Sequence, residues 1–225
     1  QARIARVDAD TTRRKGRLRE ILTEFKAHKL DLLLGTQMIA KGLDFPGVTL
    51  VGIINADIGL HIPDFRAGER TFQILTQVAG RAGRGELEGE VVVQSYAPHS
   101  PSIQFARHHD FGGFADQEME IRAMLGYPPF ARCVLVSTRS TNERLAEFTL
   151  ENLHLRLKRE FPEDAYVGDP NPSPLVRAMD QYRFQFLVRH PRIRALTDPL
   201  KAVLKGMTFP EEVYVGVDVD PLSLS

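Results

Sequence analysis

Cysteine is nearly absent from this sequence, with Cys133 alone among 225 residues. One thiol makes neither an intrachain disulfide nor a cysteine-based zinc cluster, and it fits a reducing compartment. Tryptophan is missing altogether. No apolar run reaches the roughly 18 residues that a membrane-crossing helix needs. No excess of charge is present either, since 29 Lys and Arg balance 29 Asp and Glu. That excludes a generally polycationic nucleic-acid binder, though not a local basic site. There is no internal repeat and no low-complexity tract. No secretion signal precedes the strand-like stretch that begins almost at Gln1, so the expectation is a piece of a longer chain.

Apolar residues make up 43% of the composition, enough for a real core. The length suits one large or two small domains. Residues 3–8 read as a strand. The N-cap residues Asp10, Thr11 and Thr12 precede a helical stripe of Leu18, Ile21, Leu22 and Phe25. Residues 31–35 (DLLLG) and 48–54 (VTLVGII) are short apolar runs of the kind that form buried strands. Residues 66–84 read as a helix and 90–96 as another strand. Strands alternating with helices predict a mostly parallel sheet covered on both faces over residues 1–97.

Residues 98–130 break this pattern and read as a helical connecting arm, with helices near 101–109 and 114–125. His99, His108 and His109 lie there without the acidic or cysteine spacing of a metal site, so solvated histidines are the preferred reading and no metal is expected. Residues 131–225 form a third pattern. Strands are expected at 133–138, 165–168, 182–188 and 212–219, and helices at 142–160 and 195–206. The first of these helices carries a broad apolar face of Leu145, Phe148, Leu150, Leu153, Leu155 and Leu157. Three prolines make Asp169–Pro174 read as a loop. The order βαββαβ is that of a ferredoxin-like α+β domain.

The densest chemistry lies in Gln77–Arg84 (QVAGRAGR). With Gln77 at 0° on a wheel of about 100° per residue, Arg81 falls near 40° and Arg84 near −20°. These three polar groups share one face, with Phe72, Leu75, Ala79 and Ala82 opposite. Gly80 and Gly83 flank the polar face, although a glycine inside a helix costs roughly 1 kcal/mol. Their presence beside two arginines suggests that something approaches the backbone closely. Planar, permanently charged guanidinium forks suit phosphate oxygens. A solvated helix face with salt-bridged arginines is the plain alternative, and the residues alone leave both open.

The spacing Q-x-x-G-R-x-G-R resembles motif VI of the superfamily 2 helicases, and Gly35–Pro46 (GTQMIAKGLDFP) resembles their motif V. The strings GTQMIAKGLDFP, NADIGLHIPDFRAGERTFQ, QVAGRAGRG and LGYPPF are together similar to the replication-restart helicases of the bacterial primosome, over nearly the whole chain. The resemblance implies a partial RecA-like helicase lobe 2 followed by the C-terminal α+β domain. No phosphate-cradling G-x-x-x-x-G-K-[ST] and no acidic box for Mg²⁺ occurs here. ATP and Mg²⁺ would therefore be bound mainly by a first lobe outside this chain, and the family's zinc ligands would lie outside it too.

By the same resemblance Arg84 is the arginine finger, with Arg81 and Gln77 assisting at the ATP phosphates. Gly42 frees the motif V loop, and Asp44 lies toward the nucleotide. Thr36 and Gln37, joined by Lys41, would touch the DNA backbone, contacts that position a strand without reading its sequence. Arg13 and Arg14 open a basic run with Lys15, Arg17 and Arg19, for which a DNA-backbone patch and a solvated helix face are both open. Arg183 stands among Arg177, Gln181, Tyr182 and Phe184, a mixture suited to stacking and phosphate neutralisation. The alternative there is a core of Tyr182, Phe184 and Phe186 with Arg183 and Gln185 in solvent. No job follows for Pro63–Arg66 or Glu69–Arg70 beyond helix capping by Asp64.

The expectation is thus a two-domain fragment of an ATP-dependent 3′→5′ DNA helicase of the bacterial cytoplasm and nucleoid, inactive as an enzyme by itself. Its partners would be forked, branched and single-stranded DNA, replication-restart proteins and single-strand-binding proteins, with no membrane. Another superfamily 2 motor, or a binding module that acts independently of ATP, are the competing readings.

Overall fold

The computed structural model describes residues 2–8, 16–36, 47–80 and 89–224. The chain divides into two compact units. The first comprises residues 1–61 and 68–114, the second residues 62–67 and 115–225.

In the first unit, β1 (Ile4–Val7) pairs in parallel with β2 (Leu32–Gly35), Val7 lying opposite Gly35. A second parallel pair joins β3 (Leu50–Ile53) to β4 (Glu90–Val93). Helix α1 (Arg17–Lys26) begins after Gly16, whose φ of 91° is a left-handed conformation that glycine adopts at no steric cost. It buries Ile21, as its stripe predicts, while the expected cap at Asp10–Thr12 lies outside the described residues. The apolar strands are less covered than expected. Leu34 is 45% exposed and Leu50 59%. Among the described residues β2 pairs only with β1 and β3 only with β4, so each keeps an open edge.

The core of this unit lies instead on α2 (Ala67–Ala79). Phe72 and Leu75 pack with Ala56, Ile103, Ala106 and Phe114. The last three come from α3 (Pro101–Arg107) and the start of α4 (Phe111–Leu125), the stretch that the sequence pattern assigns to a connecting arm. Phe72 stacks on Phe114 with ring centroids 4.4 Å apart. Gly59 closes the 3-10 turn Ala56–Gly59, and a Cβ there would stand 2.5 Å from the Thr71 hydroxyl of α2, so a larger residue would have to displace that side chain.

The second unit is built on a five-stranded sheet in the order β6–β8–β5–β9, with β7 also on β8 and every neighbour antiparallel. The strands are β5 (Arg132–Ser140), β6 (Tyr166–Val167), β7 (Asn171–Ala178), β8 (Gln181–His190) and β9 (Tyr214–Val219). Helices α5 (Glu143–Glu160) and α6 (Arg194–Lys205) supply one layer. Their Ala146, Leu150, Leu153, Leu157, Leu196 and Leu200 pack on Val134, Val136, Phe184, Phe186 and Val188.

Two expectations fail here. The broad face of α5 is narrower, because Phe148 and Leu155 are exposed and the buried stripe is Ala146, Thr149, Leu150, Leu153, His154 and Leu157. Most of Asp169–Pro174 is strand, not loop, since β7 starts at Asn171. β7 pairs with β8 alone, and an edge strand tolerates Pro172 and Pro174 because half its N–H groups need no partner. A register shift between Pro172 and Arg177 accommodates the rest.

Candidate functional site

The C-terminal end of a parallel strand is the usual place for a ligand in an α/β sheet, and β2 runs at that end into the motif V string. Thr36 follows β2 directly and is exposed. Asn55 follows β3 in a left-handed conformation, φ 55°. Next comes Asp57, which is buried and which no motif in the sequence marks. Its carboxylate accepts hydrogen bonds from the Ser95 hydroxyl at 2.7 Å, the Tyr96 amide at 2.8 Å and the Ala97 amide at 3.1 Å. The Ser95 bond first, with the two amides, holds Asp57 below the usual carboxylate range, so it stays ionised at neutral pH. It welds the segment after β3 to the segment after β4 and fixes the floor under α2.

On α2, Gln77 is exposed while Phe72 and Leu75 are buried, the opposite faces that the helical wheel gives. The Gln77 side chain makes no hydrogen bond among the described residues. Arg81 and Arg84 lie outside the described residues, as do Gln37, Lys41, Gly42, Asp44, Arg13 and Arg14. From the basic run, Arg17 is described and pairs with Glu20 at 3.2 Å on an exposed helix face. A pair of that kind favours the solvated reading for Arg17 and contributes little stability.

The second unit holds Arg183. Phe184 and Phe186 are core, and Tyr182 packs beside them. Arg183 is half-buried on the opposite face, directly across from Arg139, which stands across from Tyr214 in turn. The Arg139 guanidinium lies 4.1 Å from the Tyr214 ring centroid. Neither Arg139 nor Arg183 forms an ion pair among the described residues. Like charges directly opposite on a sheet are destabilising, so an anion bound there would relieve the arrangement. Arg177 is committed elsewhere, to Asp180 at 3.1 Å. No group of three or more His, Cys, Asp or Glu suited to a metal occurs among the described residues. No described helix is long and apolar enough to cross a membrane.

The stretch Pro63–Arg66 and the string LGYPPF, left without a job by sequence, come together in the second unit. Phe65 stacks on Tyr127 with centroids 4.9 Å apart and planes 16° from parallel. No spacing rule relates residues 62 positions apart, and only the unexplained specificity of both strings could have flagged them.

Two family models match the chain. Helicase conserved C-terminal domain covers residues 1–86, and Primosomal protein N C-terminal domain covers residues 123–222. Among curated proteins, the replication restart protein PriA of Synechocystis is 43% identical over 99% of this chain and 26% of its own length. The Bacillus subtilis protein is 44% identical over 98% of the chain and 28% of its own length, and that of Treponema pallidum 41% over 99% and 34%. The chain therefore spans about a quarter to a third of the length of these relatives. With both models and whole-chain identity pointing the same way, the chain belongs to the PriA family of replication restart proteins.

Proposed function

We propose that this chain is the part of an ATP-dependent 3′→5′ DNA helicase that carries motif V and the arginine-finger motif VI, acting at forked or branched DNA in replication restart. The observation that carries the proposal is the face of α2. Gln77 is presented to solvent opposite a buried Phe72 and Leu75, and the chain continues from it into G-R-A-G-R. An exposed amide without a partner, followed by two arginines, suits the phosphate end of ATP. Arg84 is the finger that stabilises charge on the γ-phosphate, with Arg81 and Gln77 beside it, an effect worth 10³–10⁵ in rate in other NTPases, to order of magnitude. Gly42 and Asp44 serve the nucleotide side of motif V, and Thr36, Gln37 and Lys41 its DNA side.

Bound ATP with Mg²⁺ supplies the reacting phosphoryl group, and the chain's own residues supply only donors aimed at it. Such donors act only where the phosphate is held, and no phosphate-cradling loop occurs in these 225 residues, so the chain alone is not an ATPase. Zinc, in this reading, is held elsewhere in the whole protein. In the second unit, the strand order β9–β5–β8 with β6 and β7 outermost supports a ferredoxin-like arrangement. Its Arg139, against Tyr214, and Arg183, neither in an ion pair among the described residues, suit the DNA backbone. Arg13 and Arg14 are further candidates for that backbone. Single-strand-binding and other restart proteins are the expected protein partners, in the bacterial cytoplasm.

The decisive experiment is Arg84→Ala in the full-length protein. DNA-stimulated ATP turnover is expected to vanish while DNA binding persists. Normal turnover would sink the assignment. A binding module independent of ATP is the second reading, favoured by the Arg139–Arg183 pair. DNA affinity of the full-length protein that is indifferent to nucleotide, and retained after Arg84→Ala, would support it.

A further inference from the structure

The sheet of the second unit has two very different margins. On one side lie β6, two residues long, and β7, which carries Pro172 and Pro174 and a shift of register. Short strands, prolines and irregular pairing keep a sheet edge from recruiting another strand. The other side ends in β9, which pairs with β5 and with no other described strand. β9 has no proline and no lysine, and its ladder runs without a shift from the Arg139–Tyr214 pair to the Val134–Val219 pair. This margin lacks the protection that the other has.

The register shows which backbone groups lie open. The Asp220 amide donates to the Cys133 carbonyl at 2.8 Å, one step beyond the Val134–Val219 pair. Along an antiparallel ladder, residues that bond to the neighbouring strand alternate with residues whose N–H and C=O point away from it. Gly216 and Asp218 therefore bond toward β5, while Val215, Val217 and Val219 turn their N–H and C=O groups outward. These three make no backbone hydrogen bond elsewhere among the described residues. Their side chains belong to the helix-covered face of the sheet, yet Val217 is 39% and Val219 44% exposed. An apolar rim of the core is thus left uncovered along the open edge.

The charge at this edge has one sign. Residues 206–219 include Glu211, Glu212 and Asp218, all exposed, and no lysine or arginine. Asp218 forms no ion pair among the described residues, unlike Asp220, which Arg132 holds. Arg139 lies against Tyr214, at the opposite end of β9 from Asp218. A second copy of β9 brings no cation to these carboxylates. A strand with basic residues on the Asp218 face and apolar residues on the valine face matches both.

We propose that β9 is a docking edge that takes an extended segment of a protein partner as one more antiparallel strand. In that segment apolar residues, which cover Val217 and Val219, alternate with lysine or arginine, which meets Asp218. Backbone bonds supply the affinity, and the alternation selects the partner. The surface lies wholly within the second unit and is independent of the reading of motif VI.

The test is fluorescence anisotropy of a labelled peptide in which valine and lysine alternate, titrated with the full-length protein. Saturable binding is expected. In an antiparallel pair the peptide's valines stand opposite Val215, Val217 and Val219 and exchange the backbone bonds. N-methylation of the valine amides should therefore weaken binding about tenfold or more, while N-methylation of the lysine amides, which face away, leaves it within about threefold. A valine–glutamate peptide should also bind about tenfold more weakly. Val217→Pro removes an outward N–H and spares the ladder to β5, so it should weaken the valine–lysine peptide about fivefold or more. If Val217→Pro does not fold, Asp218→Lys should lower the preference for lysine over glutamate about fivefold. Absence of saturable binding, equal binding of the valine-methylated peptide, undiminished binding by Val217→Pro, or an unchanged preference in Asp218→Lys each overturns the proposal. A full-length dimer that Val217→Pro dissociates gives the edge to a second copy and overturns it as well.

Discussion

Helix α5 offers a direct test of which side chains hold the C-terminal unit together. Leu153 and Leu155 stand two residues apart in one helix, with the same intrinsic preferences. Leu153 is fully buried and Leu155 is 56% exposed. Leu153→Ala removes three carbons from the layer between α5 and the sheet. At about 0.8 kcal/mol for each buried methylene the transfer loss is about 2.4 kcal/mol. The residual cavity adds about 1–2 kcal/mol, giving about 3–4 in all. With an m-value of about 1.5 kcal/mol/M for a unit of this size, the urea midpoint falls by about 2–3 M. Leu155→Ala costs at most about 0.5 kcal/mol, because the leucine gains little by burial and alanine is the better helix former. Tyrosine fluorescence reports on this unit. With no tryptophan, five tyrosines are the emitters, and all but Tyr96 lie in it. Equal losses in the two variants would refute the burial argument and restore the broad apolar face.

Three further outcomes follow from individual side chains. Asp57 ionises more readily folded than unfolded, so its stabilisation is complete above the ordinary carboxylate pKa and is lost as pH falls through its lower folded value. Thermal melts between pH 7 and 3 should show Asp57→Asn less stable at neutral pH and flatter in acid. His154 is held neutral, mainly by burial and then by Lys158, and its Nε2 lacks a partner. The unfolded chain therefore takes up the proton first, and stability should decline as pH drops below about 6.5. His154→Leu should remove that slope in urea titrations at pH 7.5 and 5.5. The Cys133 thiol is pushed up to about 11, chiefly by burial, so alkylation at pH 8 should be negligible in the native chain and prompt in urea.

The strands and helices were legible where apolar spacing decides local structure. The stripe through Ile21 and the runs at Leu32–Gly35 and Leu50–Ile53 became the expected elements. How deeply each was buried was not legible, because burial depends on which layer covers the element. Leu155 and Leu153 look alike in a periodicity, and only the position of α5 over the sheet separates them. The prolines of β7 misled for a related reason. Proline excludes a central strand, and nothing local says that this one lies at an edge with an irregular register. For the candidate site, the helical wheel placed Gln77 on the exposed side of α2. Asp57 was missed because its partners lie 38 to 40 residues away.

The two faces of the C-terminal sheet show why polar positions on a half-buried strand need not be solvated. On β8, Phe184, Phe186 and Val188 meet the helices, and alternation assigns Arg183, Gln185, Leu187 and Arg189 to the other side. A sequence reading gives that side to water. Instead Gln185 donates to the Leu224 carbonyl at 2.7 Å and accepts from the Ser173 hydroxyl at 2.9 Å, and the Arg189 guanidinium lies 4.1 Å from the Tyr127 ring centroid and 3.9 Å from that of Tyr166. Residues 221–224 are part of the cover here, and bonds from Arg66 to the Pro221 carbonyl and from the Leu224 amide to the Asp64 carboxylate tie them to residues 62–67. Arg183 and Arg139 differ from their neighbours, since neither is engaged by an ion pair among the described residues. On a face otherwise so fully matched, those two guanidiniums stay open to a ligand of opposite sign.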